Sequence, residues 1–261
     1  MSGDYSMTRL STVPAETPKL PPLKLKAAVV DLDGTMVDTA DDFTAGLNGM
    51  LAELGGAPPV TRGEVIGYVG KGSEHLIRSV LAARFEAEEA QARFEMALAV
   101  YQAQYAKING NHTRLYPDVE RGLAALRDAG LRLACVTNKP HRFALALLEQ
   151  YGLARYFSFV FGGDSLPRKK PDPEPMLAAC AAMGVAPGET VAIGDSENDA
   201  IAGRAAGMAT LTVPYGYNHG KAIQTIKSDG IVATLLAAAT VIAHHHASLE
   251  AGSAASQSST I

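Results

Sequence analysis

A short apolar run that ends in two aspartates constrains the fold of this chain more than any other feature. Residues 27–30 are alanine and valine, and the segment Asp31-Leu32-Asp33-Gly34-Thr35 follows them directly. An apolar run bounded by a charge on one side and a turn on the other is typical of a buried parallel strand. Residues two apart in an extended segment point to the same side. Asp31 and Asp33 should therefore lie together at the carboxyl end of this strand, where open α/β sheets bind ligands.

Two neighbouring carboxylates repel each other, and a cation or a shared proton relieves that repulsion. Oxygen ligands favour a hard divalent ion, so the sequence predicts a Mg²⁺ site at Asp31 and Asp33. If this segment is considered alone, the alternative to a Mg²⁺ site is an acidic turn that has no function.

Composition limits the classes of function that are open to the chain. It has 261 residues with a net charge of −4, which gives no basic field to attract nucleic acid. Its two cysteines, Cys135 and Cys180, offer neither a disulfide framework nor metal-ligand spacing, and we expect buried free thiols. The N-terminus lacks a signal-type apolar core, and the apolar run at 231–243 is too short to span a bilayer. We therefore expect a cytoplasmic protein without a membrane or nucleic-acid partner.

Apolar strand-like runs alternate with helical patterns along most of the chain. This alternation predicts an α/β fold, with a Rossmann-like parallel sheet that has helices on both faces. Residues 23–38 and 112–243 would form this core. Residues 39–111 have helical periodicity and no convincing strand, which predicts a helical cap inserted after the first strand. Residues 1–22 read as a flexible arm and residues 244–261 as a disordered tail.

Four short polar motifs fall after predicted strands or on a loop at the same end of the sheet. Taken singly, each has an ordinary explanation, since a loop lysine is usually solvated and Thr-Asn after a strand usually caps a helix. Their joint placement at one edge predicts a functional site. The motifs are Asp31 with Asp33, Thr137 with Asn138, Lys170, and Asp195 with Asp199.

In this order the motifs closely resemble those of the haloacid dehalogenase superfamily, and the likeness spans roughly residues 25–243. The segment after the first strand resembles that superfamily's helical cap. The resemblance implies phosphoryl transfer with Asp31 as the nucleophile that forms an aspartyl-phosphate. It implies that Asp33 protonates the leaving alcohol and then activates water. The matching segments are Asp31-Leu32-Asp33-Gly34-Thr35, Thr137-Asn138, Lys170-Pro171 and Gly194-Asp195-Ser196-Glu197-Asn198-Asp199.

The same resemblance implies roles for the remaining motif residues. Mg²⁺ would be held by Asp31, by Asp195 and by Asp33, the last through its backbone carbonyl. Thr137 and the backbone of Asn138 would bind the phosphoryl oxygens. Lys170 would offset the carboxylate charge, and Asp199 would support Lys170 or a metal-bound water.

Within the superfamily the chain most resembles the bacterial phosphoglycolate phosphatases, on the segments 68–72, 162–167, 170–173 and 215–217. That likeness implies hydrolysis of 2-phosphoglycolate, a small phosphorylated metabolite, to glycolate and phosphate. A phosphatase of another small ester, such as a nucleotide or sugar phosphate, remains an alternative. So does a sugar phosphomutase, because such mutases also keep the acid at Asp33. A binding protein without activity is disfavoured, since every catalytic position is present.

The predicted cap contains one candidate segment for binding the part of the substrate that lies beyond its phosphoryl group. In Gly70-Lys71-Gly72-Ser73, glycines allow close backbone approach and a helix begins next, which favours an anion. Lys71 is the predicted substrate-binding residue, and a solvated lysine is the alternative. The segment is not a nucleotide-binding P-loop, because Gly72 stands where Ser or Thr should follow the lysine.

Overall fold

The computed structural model describes residues 18–258, and a six-stranded parallel sheet lies at its centre. The strands are β1 (Ala27–Val30), β2 (Val37–Asp38), β3 (Arg114–Leu115), β4 (Arg132–Val136), β5 (Phe159–Phe161), β6 (Thr190–Gly194), β7 (Ala209–Thr212) and β8 (Gly230–Ile231). The sheet order is β5-β4-β1-β6-β7-β8, and each neighbouring pair is parallel. The first strand is central, with Val30 opposite Cys135 on one side and Ile193 on the other.

Helices connect the strands in the alternating pattern that the sequence predicts. They are α1 (Ala40–Glu53), α2 (Arg62–Tyr68), α3 (Ser73–Arg84), α4 (Ala87–Ile108), α5 (Val119–Asp128), α6 (His141–Gln150), α7 (Glu174–Met183), α8 (Glu197–Ala205) and α9 (Leu235–Ser258). The predicted α/β class with a parallel sheet is confirmed.

Both faces of the sheet are covered, which explains why β1 is apolar throughout. Alternate residues of a strand point to opposite faces. Ala28 and Val30 belong to a cluster with residues of α5, α6 and α9. Ala27 and Val29 belong to a second cluster with residues of α7 and α8. A strand buried on both faces cannot alternate apolar and polar residues, so it reads as a continuous apolar run.

The helices α1 to α4, called the cap below, lie between β2 and β3 in the chain, and they share an apolar cluster that also includes Phe143 of α6 and Tyr217. Phe43, Leu47, Ile77 and Tyr105 are among its buried members. β2 and β3 pair antiparallel, with Val37 opposite Leu115, so the two chain segments that join these helices to the sheet run side by side.

The C-terminal tail differs from the prediction of disorder after residue 243. The helix α9 continues from Leu235 to Ser258. Its apolar side packs against α5, with Leu235 and Ile242 fully buried in the shared cluster. His246 is also buried, and its Nε2 accepts a hydrogen bond of 3.1 Å from the backbone N–H of Leu25. Alanine is the strongest helix former, so an alanine-rich tail that can dock on the core forms a helix.

The predicted flexible arm covers residues 1–22, of which residues 1–17 lie outside the described part of the chain. The backbone N–H of Lys19 donates to the carbonyl of Asp229 at 2.8 Å, so this end of the described chain lies beside β8. Within residues 18–258, no helix has both the length and the apolar character needed to cross a membrane.

Candidate active site

The loops that follow β1, β4 and β6 meet at one edge of the sheet, because those three strands are neighbours and run parallel. Together with the loop before α7 they bring all four sequence motifs to one cavity, which the cap segment at residues 69–76 also lines. The free volume of this cavity is about 40 Å³. One ordered water needs about 10–15 Å³, so the space suits a small ligand.

Lys170 lies at the centre of the carboxylates. Its Nζ donates to Oδ1 of Asp31 at 2.7 Å, to Oδ1 of Asp199 at 2.6 Å and to the carbonyl of Val136 at 2.7 Å. Burial alone would lower the pKa of Lys170, but the charges of Asp199 and Asp31 outweigh it and the pKa lies above its ordinary value. Lys170 is therefore a permanently charged cation with all three donors in use.

Three carboxylates face one another around this lysine. Oxygens of Asp31, Asp195 and Asp199 lie within 4.8 Å of one another. Burial raises the pKa of Asp31 well above its ordinary range, against the opposing charge of Lys170, and Asp199 and Asp195 raise it further. Burial and Asp199 raise the pKa of Asp195 to about 7. A group of buried carboxylates with this charge excess fits a divalent cation bound through oxygen.

The three carboxylates differ in the groups that donate hydrogen bonds to them. Both oxygens of Asp199 are in use, one by Lys170 and the other by the backbone N–H and hydroxyl of Ser196. Asp195 is oriented by the Thr35 hydroxyl at 3.0 Å and the Tyr217 backbone N–H at 2.7 Å, one on each oxygen. Asp199 is thus the partner of Lys170 and Ser196, whereas Thr35 and Tyr217 orient Asp195.

The side chain of Asp33 does not join this group. Its Oδ1 accepts from the Thr39 hydroxyl at 2.7 Å and from Nζ of Lys139 at 3.1 Å, on the side of the cap. The structure thus places Asp31 among the carboxylates that could hold a metal ion, and it places the side chain of Asp33 beside Thr39 and Lys139. Two carboxylates in such different surroundings suit different chemical roles.

Lys139 is a site residue that the motif analysis missed. Its side chain is 1% exposed and lines the cavity between Asp33 and Tyr105, whose hydroxyl lies 2.7 Å from Nζ. Burial lowers the pKa of Lys139, and Asp33 partly opposes that shift. The sequence signal was its place directly after Thr137-Asn138 at the end of β4, but a lysine there reads as solvated.

Thr137 and Asn138 are buried at the end of β4. The hydroxyl oxygen of Thr137 accepts from the backbone N–H of Lys139 at 3.2 Å, which leaves its proton for a ligand oxygen. The Asn138 amide donates to the carbonyls of Lys170 at 2.8 Å and Gly70 at 2.9 Å. Its Oδ1 is buried without a hydrogen-bond partner among the described residues.

The sequence profile of the haloacid dehalogenase-like hydrolases matches residues 25–207 of the chain. The chain belongs to this family. It is 42% identical over 221 residues to a phosphoglycolate phosphatase of Thiobacillus denitrificans, a match that covers 85% of this chain and 97% of that protein. It is 44% identical over 221 residues, with the same coverage, to a phosphoglycolate phosphatase of Nitrosospira multiformis. A solved structure of a predicted phosphoglycolate phosphatase from Haemophilus somnus superposes with a TM-score of 0.76 at 31% identity, and the superposition covers 82% of this chain and 96% of that one.

In this haloacid dehalogenase-like hydrolase, Lys71 lies at the rim of the cavity. Gly70, Gly72 and Ser73 line the wall, whereas the Lys71 side chain is exposed. Burial, then Lys71, lowers the pKa values of His75 and His219, so the positive charge of Lys71 reaches both rings. The structure therefore brings the cap loop to the site and leaves its lysine at the entrance.

In this hydrolase one backbone carbonyl of the cap loop binds two of the sequence motifs. The Gly70 oxygen accepts from the amides of Asn138 at 2.9 Å and Asn198 at 3.0 Å. Gly70 has a φ of 111°, which a glycine adopts without strain. A Cβ there would also lie 2.9 Å from His219 Cε1. Close approach of the cap backbone to the core therefore depends on this glycine.

Proposed function

We propose that this hydrolase is a Mg²⁺-dependent phosphatase that converts 2-phosphoglycolate to glycolate and phosphate through an aspartyl-phosphate. The names of the relatives at 42% and 44% identity support the substrate. The cavity that the four motifs share has a volume of about 40 Å³, which fits a compact ester. The proposal includes cytoplasmic action, which agrees with two buried free thiols, Cys135 and Cys180.

One observation supports the proposed mechanism most directly. Asp31 and Asp33 are two residues apart, but their side chains contact different partners. Asp31 lies among the buried carboxylates with Lys170 at 2.7 Å, and Asp33 faces the cap. In the first step a carboxylate oxygen of Asp31 attacks phosphorus as the bond from phosphorus to the leaving oxygen breaks. Asp33 gives its proton to that oxygen, and glycolate leaves.

In the second step water attacks the phosphorus of the aspartyl-phosphate, and the bond to the Asp31 oxygen breaks. Asp33 takes the proton of that water, which restores both aspartates and releases phosphate. Thr137 and the backbone of Asn138 would hold phosphoryl oxygens, and Lys170 would offset the carboxylate charge so that an anionic substrate can approach. Mg²⁺, held by Asp31, Asp195 and the backbone carbonyl of Asp33, would supply the remaining positive charge for the phosphoryl oxygens. At the rim, Lys71 would attract the anionic substrate and contribute to its binding.

A panel of phosphate monoesters with Mg²⁺ tests the proposal. We expect the highest kcat/KM for 2-phosphoglycolate, with stoichiometric release of free phosphate. A higher kcat/KM for a nucleotide or sugar phosphate would contradict the proposed substrate but not the proposed mechanism. Isomerisation of a sugar phosphate with little free phosphate would identify a phosphomutase and contradict the proposal.

A further inference from the structure

The cavity has two lysines among its lining residues, Lys139 and Lys170, and the described residues place no arginine there. A substrate that carries a second anionic group needs a donor for it. An ammonium has three donors, and those of Lys170 are taken by Asp31, Asp199 and the carbonyl of Val136. Lys170 therefore has no donor left for a carboxylate on the substrate.

Lys139 has one. Among the described residues its Nζ contacts three oxygens of two groups, Oδ1 and Oδ2 of Asp33 at 3.1 Å and 3.4 Å and the hydroxyl of Tyr105 at 2.7 Å. The two oxygens of one carboxylate lie close enough together to share one N–H, and the Tyr105 hydroxyl takes a second. The rings of Phe43 and Tyr105 lie 4.5 Å and 4.9 Å from Nζ and offer a cation–π surface. The side chain is 1% exposed and lines the cavity. A buried charge with an unused donor gains most from an anionic partner.

We propose that Lys139 binds the carboxylate of the substrate and thereby selects phosphate esters whose alcohol carries an acid group. This inference rests on the proposed function, since it takes Asp33 as the acid for the leaving oxygen. In 2-phosphoglycolate one methylene separates the leaving oxygen from the carboxylate carbon. The group that binds the carboxylate must therefore lie beside Asp33, and Lys139 Nζ lies 3.1 Å from it.

Lys71 does not meet that condition. Its side chain is exposed and does not line the cavity. It can raise the local concentration of every anionic ester, with or without a second acid group. Selectivity for the acid group is thus assigned to a core residue that follows the phosphoryl-binding pair Thr137 and Asn138, and not to the cap lysine.

The test compares two esters of the same size in the full-length enzyme with Mg²⁺: 2-phosphoglycolate, and 2-hydroxyethyl phosphate, in which a neutral hydroxymethyl group replaces the carboxylate. The measured quantity is the ratio of their kcat/KM values. Lys139→Met should lower this ratio about 10- to 100-fold, the range for one hydrogen bond to a charged group. The matched variant Lys71→Met should change the ratio by less than about fivefold, since exposed charges contribute little.

An equal loss of kcat/KM for both esters in Lys139→Met would overturn the inference, because Lys139 would then serve Asp33 alone. If circular dichroism shows that Lys139→Met does not fold, Lys139→Gln gives the same test, since its amide keeps a donor for Asp33 or Tyr105. The wild-type ratio tests the proposed function separately. A wild-type preference for the neutral ester would overturn both claims, whereas a wild-type preference for the acid that survives in the Lys139 variant would overturn the inference alone.

Discussion

The backbone N–H of Tyr217 donates a hydrogen bond of 2.7 Å to Oδ2 of Asp195, while the hydroxyl of the same Tyr217 holds the first residues of the cap. That hydroxyl accepts from the backbone N–H groups of Thr39 at 2.7 Å and Ala40 at 3.0 Å, and donates to Asp38 at 2.9 Å. One tyrosine thus connects a proposed cation ligand with the N-terminus of α1. Tyr217 therefore links the position of the Asp195 carboxylate to the point at which the cap joins the core.

Tyr217→Phe should lower the free energy of unfolding by about 1–3 kcal/mol, because it leaves the buried N–H of Thr39 without its acceptor, whereas the N–H of Ala40 keeps Asp38 at 3.3 Å. Urea denaturation measures this change. Tyr215→Phe is the matched control, since that hydroxyl donates to one carbonyl, that of Thr35 at 3.0 Å. An equal or larger loss in the Tyr215 variant would show that the Tyr217 hydroxyl has no special role.

Asp195→Asn should raise the Mg²⁺ concentration for half-maximal activity by about tenfold or more. The substitution keeps the shape and removes one of the charges that bind the cation. A Mg²⁺ titration of phosphate release measures the shift. Asp128→Asn, an exposed aspartate at the end of α5, is the control and should titrate like the wild type. A wild-type Mg²⁺ dependence in Asp195→Asn would remove Asp195 from the ligand set.

The stabilisation by Mg²⁺ should grow as the pH rises toward 7. Burial first, and then Asp199, raise the pKa of Asp195 from 3.8 to about 7, so the folded protein without cation binds more protons than the unfolded chain. Between those values its stability therefore falls as the pH rises. Protons and Mg²⁺ compete for the same oxygens, so added Mg²⁺ should raise Tm little near pH 4.5 and much more near pH 7.5. A Tm increment that is the same at both pH values would contradict this account.

The central strands could be predicted because the local sequence alone shows where each strand lies. β1, β4 and β6 are apolar runs, and β1 and β6 each end in an aspartate motif that breaks the run. The parallel pairing then brings the motifs together without further information. The Asp33 side chain was harder to place, since its direction depends on Lys139, which lies 106 residues away in the chain.

Other features could not be predicted because their partners are distant. Lys139 reads as a solvated lysine until the cap folds and places Tyr105 over it. The hydroxyl of Tyr217 has its partner Asp38 at a separation of 179 residues. The tail after residue 243 has the composition of a disordered segment, and helix forms there as the continuation of α9, whose first turns pack against α5.

That packing leads to a prediction about Gly122 in α5. A Cβ on this glycine would lie 2.6 Å from the backbone of Leu235 and Leu236 at the start of α9. Gly122→Ala should therefore lower the free energy of unfolding by about 1–3 kcal/mol through overpacking. Gly67→Ala is the control, because it is also helical and nothing lies within 4 Å of its added Cβ. It should be neutral or stabilising by up to about 1 kcal/mol, and a Gly122 variant as stable as the wild type would contradict the close packing of α5 against α9.

The central claim is that Asp31 is the nucleophile, and the turnover of purified Asp31→Asn tests it most directly. The amide is a poor nucleophile, and it also removes a charge that binds the cation. The measurement is the rate of phosphate release from 2-phosphoglycolate with saturating Mg²⁺, on protein whose circular dichroism and Tm show that it is folded. We predict that kcat falls by about three orders of magnitude or more. Turnover of folded Asp31→Asn within about tenfold of the wild type would contradict the account.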